Sequence, residues 1–222
     1  MSQPLYVFDM DETLFSADCS VLWNEFLAEE GIVTSAGFLE EDKRLMGLYS
    51  AGKMDMEDYL TFAMSPLNHI PKEEVEQWVE RCISDKIMPY FYPQAQTLLA
   101  QLKRDNIDTV IISATVNFIV AAVAKRIGID AAMGIDLVIE ENRYTATIEG
   151  IPTYREGKVA RLEEWLSQQD KQYDSIHFYT DSINDLPLCE RADAAYLVNP
   201  CDKLAQLSHR PNWQVLNWSI DA

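Results

Sequence analysis

The stretch Val7-Phe8-Asp9-Met10-Asp11-Glu12-Thr13-Leu14 closes an apolar run that begins at Leu5. A run this short and this apolar reads as a buried strand. It stops at two aspartates spaced i and i+2, followed by Thr13. Aspartates form turns readily, and closing a strand would account for both of them. The carboxyl end of a central strand is also where open α/β sheets hold their ligands. Two carboxylates there suit a hard metal ion, and one can serve as a nucleophile.

Three later stretches bear on that choice. Thr109-Val110-Ile111-Ile112-Ser113-Ala114-Thr115 is a second β-branched run, with Ser113 at its end. A serine hydroxyl there either donates to a phosphate oxygen or caps the next helix. In Tyr154-Arg155-Glu156-Gly157-Lys158-Val159, Lys158 opens a stretch carrying Val159, Leu162 and Leu166 at helical spacing. Most lysines are solvated; one placed here can neutralise a phosphoryl group, and Gly157 lets the backbone approach a ligand closely. Ile176 to Thr180 reads as another strand, ending in Asp181-Ser182-Ile183-Asn184-Asp185. These too are turn and cap formers.

Together the four stretches resemble, in order, the four motifs of the haloacid dehalogenase (HAD) superfamily of phosphohydrolases. They are Asp9-Met10-Asp11-Glu12-Thr13, then Ser113, then Lys158, then Asp181 to Asp185. The closer likeness is to the phosphoserine-phosphatase-like branch, subfamily IB, through Glu156-Gly157-Lys158 and the long helical segment between the first two motifs. Glu12 departs from the pattern, because many HAD phosphatases carry Gly there. That departure concerns the shape of the turn; both aspartates remain.

The rest of the chain fits an α/β protein. Strand signals at 5–9, 109–113, 176–180 and 194–198 are separated by helical stretches, so a parallel, doubly wound, Rossmann-like sheet is expected. Ala95, Leu98, Leu99 and Leu102 form one apolar stripe. Val116, Ile119, Val120, Val123 and Ile127 form another, closed by Gly128. Residues 135–139 and 144–148 suggest a β-hairpin. Residues 16–88 show no clear strand and read as amphipathic helices, with Trp23, Phe26 and Leu27, then Tyr59, Leu60 and Phe62, then Val75, Trp78, Val79 and Cys82 on their apolar faces. The expected organisation is an α/β core at 1–15 and 89–222 with an insertion at 16–88. The resemblance makes that insertion a helical cap of the C1 type.

Composition narrows the class. At 222 residues and 48% hydrophobic, the chain can bury a substantial core and a small accessory unit. No apolar run approaches the roughly 20 residues that span a bilayer. Met1-Ser2-Gln3-Pro4 has no basic leader region, so no signal peptide is expected. Cys19, Cys82, Cys189 and Cys201 show no metal-site spacing and read as reduced thiols of a cytoplasmic protein. The formal net charge of −18 argues against nucleic acid as a partner. Acidic runs such as Glu40-Glu41-Asp42 read as solvated helix faces. The same charge repels an anionic substrate; a bound divalent cation, Lys158 and backbone amides can reverse the sign locally.

The resemblance implies a Mg²⁺-dependent phosphomonoesterase acting on a small molecule. Asp9 is the nucleophile, and Asp11 protonates the leaving oxygen and later activates water. A haloalkanoate dehalogenase needs no such acid and lacks the second aspartate. Mg²⁺ falls to the Asp9 side chain, the Asp11 carbonyl and Asp181. Ser113, with Ala114 beside it, and Lys158 hold phosphoryl oxygens. Asp185 and Asn184 orient waters or Lys158, and Thr13 steadies the loop. Asp18, nine residues past Asp9, matches an acidic residue that contacts a substrate amine, although it also fits a helix N-cap. Arg44 or Lys43 is a candidate partner for a substrate carboxylate, and Trp23 for stacking on an imidazole ring. Phosphoserine and histidinol phosphate are the substrate types this suggests. Alternatives are a phosphotransferase sharing the aspartyl-phosphate, a phosphoacceptor such as a response-regulator receiver, and a binding module on a degenerate HAD fold.

Overall fold

A computed structural model describes residues 3–221; Met1 and Ser2, read above as part of the N-terminal stretch, and Ala222 lie outside it. The strands are β1 (Gln3–Phe8), β2 (Thr109–Val116), β3 (Ala131–Ile135), β4 (Leu137–Glu140), β5 (Arg143–Ile148), β6 (Tyr173–Thr180), β7 (Ala194–Val198) and β8 (Trp213–Leu216). The helices are α1 (Cys19–Glu29), α2 (Phe38–Ala51), α3 (Met56–Met64), α4 (Lys72–Cys82), α5 (Pro93–Arg104), α6 (Asn117–Ile127), α7 (Glu156–Ser167), α8 (Leu186–Arg191) and α9 (Asp202–Ala205).

Alternation along the strands builds two apolar layers. Leu5 and Val7 pack with Val110, Ile112, Phe178, Ala195 and Leu197 against α7, α8 and α9. Phe8 points the other way and joins Ile111, Tyr179 and Val198 against α5 and α6. Leu5, Val7 and Phe8 are fully buried, each contributing about 1.5–3 kcal/mol.

Six strands form a parallel sheet in the order β3-β2-β1-β6-β7-β8, while β4 and β5 make the expected separate antiparallel hairpin. From β1 the chain winds outward through β2 and β3, then returns to the other side of β1 as β6. The topological switch therefore lies between β1 and β6, where such sheets open a crevice at their carboxyl ends. Val7 sits opposite Val110 on one side and Phe178 on the other.

The sheet corrects several element boundaries. β2 runs past Ser113 to Val116, so Val116 ends a strand and does not begin a helical stripe. β3 takes Ile135 out of the expected hairpin, and β3 and β8 are strands that pattern reading does not identify. The four helices α1–α4 lie between β1 and α5 and share one apolar cluster with the sheet face, from Phe8 and Met10 through Trp23, Leu60 and Val79. The two ends of this insertion are tied together. Ser16 N–H donates to the Tyr90 carbonyl at 2.8 Å, and Tyr92 N–H donates to that of Leu14 at 3.1 Å. No helix among the described residues is long and apolar enough to cross a membrane.

Candidate active site

Asp9 follows the last residue of β1. Its N–H donates to the Tyr179 carbonyl at 2.8 Å, extending the β1–β6 ladder by one step and fixing Asp9 at the switch point. The turn then needs a left-handed residue, and Glu12 supplies it at φ 53°. That is the conformation glycine adopts freely, so Glu12 keeps the geometry at a backbone cost of about 1–2 kcal/mol.

The third and fourth motifs converge on Asp9 from α7 and from the end of β6. Lys158 is 1% exposed, and its Nζ lies 2.9 Å from Asp9 Oδ1 and 2.7 Å from Asp185 Oδ1. Thr180 Oγ1 donates to Asp185 Oδ2 at 2.7 Å. Burial alone would lower the Lys158 pKa, but Asp185 and Asp9 outweigh it and raise the value. Burial also pushes Asp9 up to about 8, against Lys158 and with help from the Asp185 and Asp11 charges. Asp181 accepts from Thr13 Oγ1 at 3.2 Å, and burial followed by the charges of Asp9, Glu12 and Asp185 pushes it well above the carboxylate range. Both shifts mark a pocket of carboxylates short of positive charge.

Asp11 faces the second motif. Its Oδ1 accepts from Cys19 N–H at 2.7 Å, and its Oδ2 accepts from the hydroxyls of Ser113 and Thr115, each at 2.9 Å. The loop before α7 is tied in through Thr153, whose hydroxyl donates to the Ser113 carbonyl at 2.5 Å. Gly157 serves a different purpose from ligand approach. A Cβ at that position would stand 1.9 Å from the Pro152 carbonyl oxygen, so this glycine lets α7 start against its own preceding loop.

The structure thus brings Asp9, Asp11, Thr13, Ser113, Lys158, Asp181 and Asp185 together. Ala114 is a partly buried strand residue that packs on the apolar cluster. The Asn184 amide donates to the Tyr49 carbonyl at 3.1 Å instead of reaching Lys158. Asp18 caps α1, accepting from Val21 N–H at 3.0 Å. Burial and then the Asp11 charge push it well above the carboxylate range, so it also lies within the field of the site.

Arg44, Lys43 and Trp23 also lie outside the cluster. Arg44 lies on an exposed helix face and is held by Glu41 at 2.7 Å; Lys43 beside it is exposed as well. Trp23 is 4% exposed, with Phe26 stacked on it at 5.8 Å and Phe118 against its edge at 6.2 Å, so no ring face is free for a substrate. Asp42 is a further correction. It is 2% exposed rather than solvated, because α2 turns it toward α1, where Asn24 Nδ2 donates to it at 2.8 Å.

Sequence reading also missed residues between β1 and α5 that lie beside the site. Burial and then the charges of Asp185, Asp9, Asp11 and Asp181 raise the Tyr49 hydroxyl pKa well above its usual value, which places that group in the field of the cluster. The Tyr49 and Tyr154 rings lie 5.5 Å apart, and the Arg155 guanidinium donates to the Gly52 carbonyl. No sequence signal announces such contacts. Thr115 was findable, since a period of two puts it on the same side of β2 as Ser113.

Comparison with known proteins identifies the family. Residues 6–190 match the haloacid dehalogenase-like hydrolase family. The chain is 31% identical over 218 residues to the histidinol-phosphatase of Neisseria meningitidis serogroup C (strain 8013), covering 96% of this chain and 98% of that protein. A Bordetella pertussis Tohama I protein of unknown function superposes with a TM-score of 0.89 at 29% identity, covering 98% and 99% of the two chains. A phosphoserine phosphatase, solved as an analogue of its phospho-aspartyl intermediate, superposes at 0.70 with 20% identity, covering 97% and 93%, which extends the likeness at the level of fold. The chain belongs to the haloacid dehalogenase-like hydrolase family, as a phosphatase.

Proposed function

We propose that this phosphatase hydrolyses a small phosphomonoester bearing an amine, with histidinol phosphate the foremost candidate, through an aspartyl-phosphate on Asp9. The observation that carries this reading is the buried Lys158, shared between Asp9 and Asp185 at the switch point of the sheet. A lysine so held presents a fixed positive charge to an incoming phosphoryl group and keeps the nucleophilic carboxylate in line. Asp9 attacks phosphorus. Asp11, only partly buried and therefore within reach of substrate, protonates the departing oxygen and then takes a proton from the hydrolytic water. Ser113 turns its hydroxyl to a phosphoryl oxygen.

The donor set fits Mg²⁺. Asp9 and Asp181 are carboxylates whose pKa is raised by burial and then by neighbouring negative charge, and the Asp11 carbonyl adds a neutral oxygen. Mg²⁺ is commonly held by only one or two carboxylates and keeps several waters. Among the described residues no three His, Cys, Asp or Glu side chains form a closed cage, as such a partly hydrated ion requires none. When bound, the ion neutralises charge on the phosphoryl oxygens.

The substrate assignment rests on charge. Asp18 supplies an acceptor near Asp11 for an ammonium group. Lys43 and Arg44, the cations that a substrate carboxylate would need, are turned to solvent. Histidinol phosphate carries the amine without the carboxylate, and phosphoserine carries both. Residues 16–88 are then the lid over the site, and the setting is the cytoplasm.

The test is phosphate release from histidinol phosphate, phosphoserine, sugar phosphates and nucleotides, with Mg²⁺ or EDTA, comparing wild type with Asp9→Asn. The expected result is Mg²⁺-dependent release, fastest with histidinol phosphate and absent in the variant. Release that persists in Asp9→Asn would remove the aspartyl-phosphate, and preference for phosphoserine would remove the charge argument.

A further inference from the structure

Thr115 belongs to none of the four motif positions, yet it touches two of the residues they supply. Its Oγ1 donates to Asp11 Oδ2 at 2.9 Å, and its N–H donates to Ser113 Oγ at 3.0 Å. With the Thr115 proton committed to Asp11, the contact between Ser20 Oγ and Thr115 Oγ1 at 2.9 Å has Ser20 as donor. A short hydroxyl chain, Ser20 to Thr115 to Asp11, thus runs from α1 to the carboxylate that faces the leaving group.

The second hydroxyl on Asp11 cannot stay there during the reaction. Ser113 also donates to Asp11 Oδ2, at 2.9 Å. A hydroxyl has one proton to give. Once Ser113 turns that proton to a phosphoryl oxygen, Thr115 is the side-chain donor left on Oδ2, while Cys19 N–H holds Oδ1 at 2.7 Å. Thr115 is 5% exposed, too buried to meet substrate itself. Its effect must pass through Asp11.

We propose that Thr115, backed by Ser20, is the positioning residue that aims Asp11 at the leaving-group oxygen. This rests on the reading of Asp11 as the proton donor. An alkoxide must be protonated as it departs, whereas 4-nitrophenolate, a weak base, leaves with little help. A residue that aims the proton donor therefore matters for alkyl esters and hardly at all for the activated aryl ester. A residue needed for packing or phosphate binding matters equally for both.

The experiment measures kcat/KM for Thr115→Val, Thr115→Ser and Asp11→Asn. The substrates are 4-nitrophenyl phosphate and whichever of histidinol phosphate and phosphoserine the wild type turns over faster. Valine keeps the volume of threonine without its hydroxyl, and serine keeps the hydroxyl with less volume. The expected result is a loss of about tenfold on the alkyl ester in Thr115→Val, the scale of one hydrogen bond. The loss on the aryl ester stays within about twofold, and Thr115→Ser recovers most of the alkyl rate. Equal losses on both esters, or a loss in Ser but not in Val, would overturn the proposal. If Asp11→Asn splits the two esters and Thr115→Val does not, the positioning role falls while the proton-donor reading stands. If Asp11→Asn shows no split in an active phosphatase, both fall together.

Discussion

Asn184 Nδ2 donates to the main-chain carbonyl of Tyr49 at 3.1 Å, joining the last turn of α2 to the loop that follows β6. Arg155 donates to the carbonyl of Gly52, the residue that caps α2. The Tyr49 carbonyl also accepts from Gly52 N–H at 2.8 Å, so these two donors add a tertiary tie to a helix end that its own cap already closes. Lys53, the next residue, is exposed. In Asn184→Ala/Arg155→Ala, tryptic cleavage after Lys53 should quicken several-fold, because local opening becomes easier. Unchanged cleavage kinetics would mean that α2 is held by its packing alone.

Lys158 balances two buried carboxylates at once. Lys158→Met keeps the apolar stem but leaves Asp9 and Asp185 uncompensated. Removing one partner of a buried pair costs about 3–5 kcal/mol, so the melting temperature should fall well below wild type and phosphate release should disappear. Adding Asp185→Asn should restore part of the melting temperature without restoring activity. If the double variant melts no higher than the single one, the burial of uncompensated charge is not what destabilises the protein.

Gly157 has the least room for a side chain of any glycine in the chain. Gly157→Ala would place its Cβ 1.9 Å from the Pro152 carbonyl oxygen, and the obstacle is backbone that cannot rotate aside. The expected cost is at the upper end of overpacking, about 3 kcal/mol or more, with weaker turnover as α7 and Lys158 shift. Calorimetry of the variant measures it; a melting temperature equal to wild type would show that the loop from Pro152 to Arg155 yields easily.

Asp42 gives stability a pH dependence that can be isolated. Burial pushes it up to about 6, against the Asn24 hydrogen bond and with a small push from Glu25. The folded state thus disfavours the charge, while the unfolded chain ionises near the ordinary aspartate value of about 3.9. The cost is absent below that value, grows between about 4 and 6, and is fully present above. Asp42→Asn keeps an oxygen for Asn24. It should melt higher than wild type at pH 8, with the gain shrinking to nothing near pH 4. A pH-independent difference would show that Asp42 does not titrate in this range.

The residues legible in advance share one property. Asp9, Ser113 and Asp181 each end a run of β-branched or apolar residues, so a local pattern placed all three on strands before any topology was known, although β2 continues past Ser113 to Val116. Lys158 stands at the start of a readable helix. β3 had no such pattern, since Ala131-Ala132-Met133-Gly134 offers little side chain, and a Cβ on Gly134 would lie 2.6 Å from the Asn117 Cα. Arg44 and Trp23 lie apart from the cluster for a different reason. Both residue types suit a ligand equally well from sequence. Only the packing of Trp23 between Phe26 and Phe118, and the proximity of Glu41 to Arg44, settles where they point. Asp42 likewise looked solvated until the docking of α2 on α1 buried it.

The place of β1 in the sheet bears on how the protein comes into being. Tyr6 pairs with Thr109 on one side and His177 on the other, so the strand made first lies between partners made much later. Closing such long loops is slow, because their entropy is lost before any contact repays it. During synthesis Leu5, Val7 and Phe8 must wait without their sheet neighbours, while the helices of the insertion emerge and pack among themselves. Asp9 acquires its lysine only after α7 has left the ribosome. A chain interrupted before Thr180 carries Asp9 and Lys158 but lacks Asp181 and Asp185.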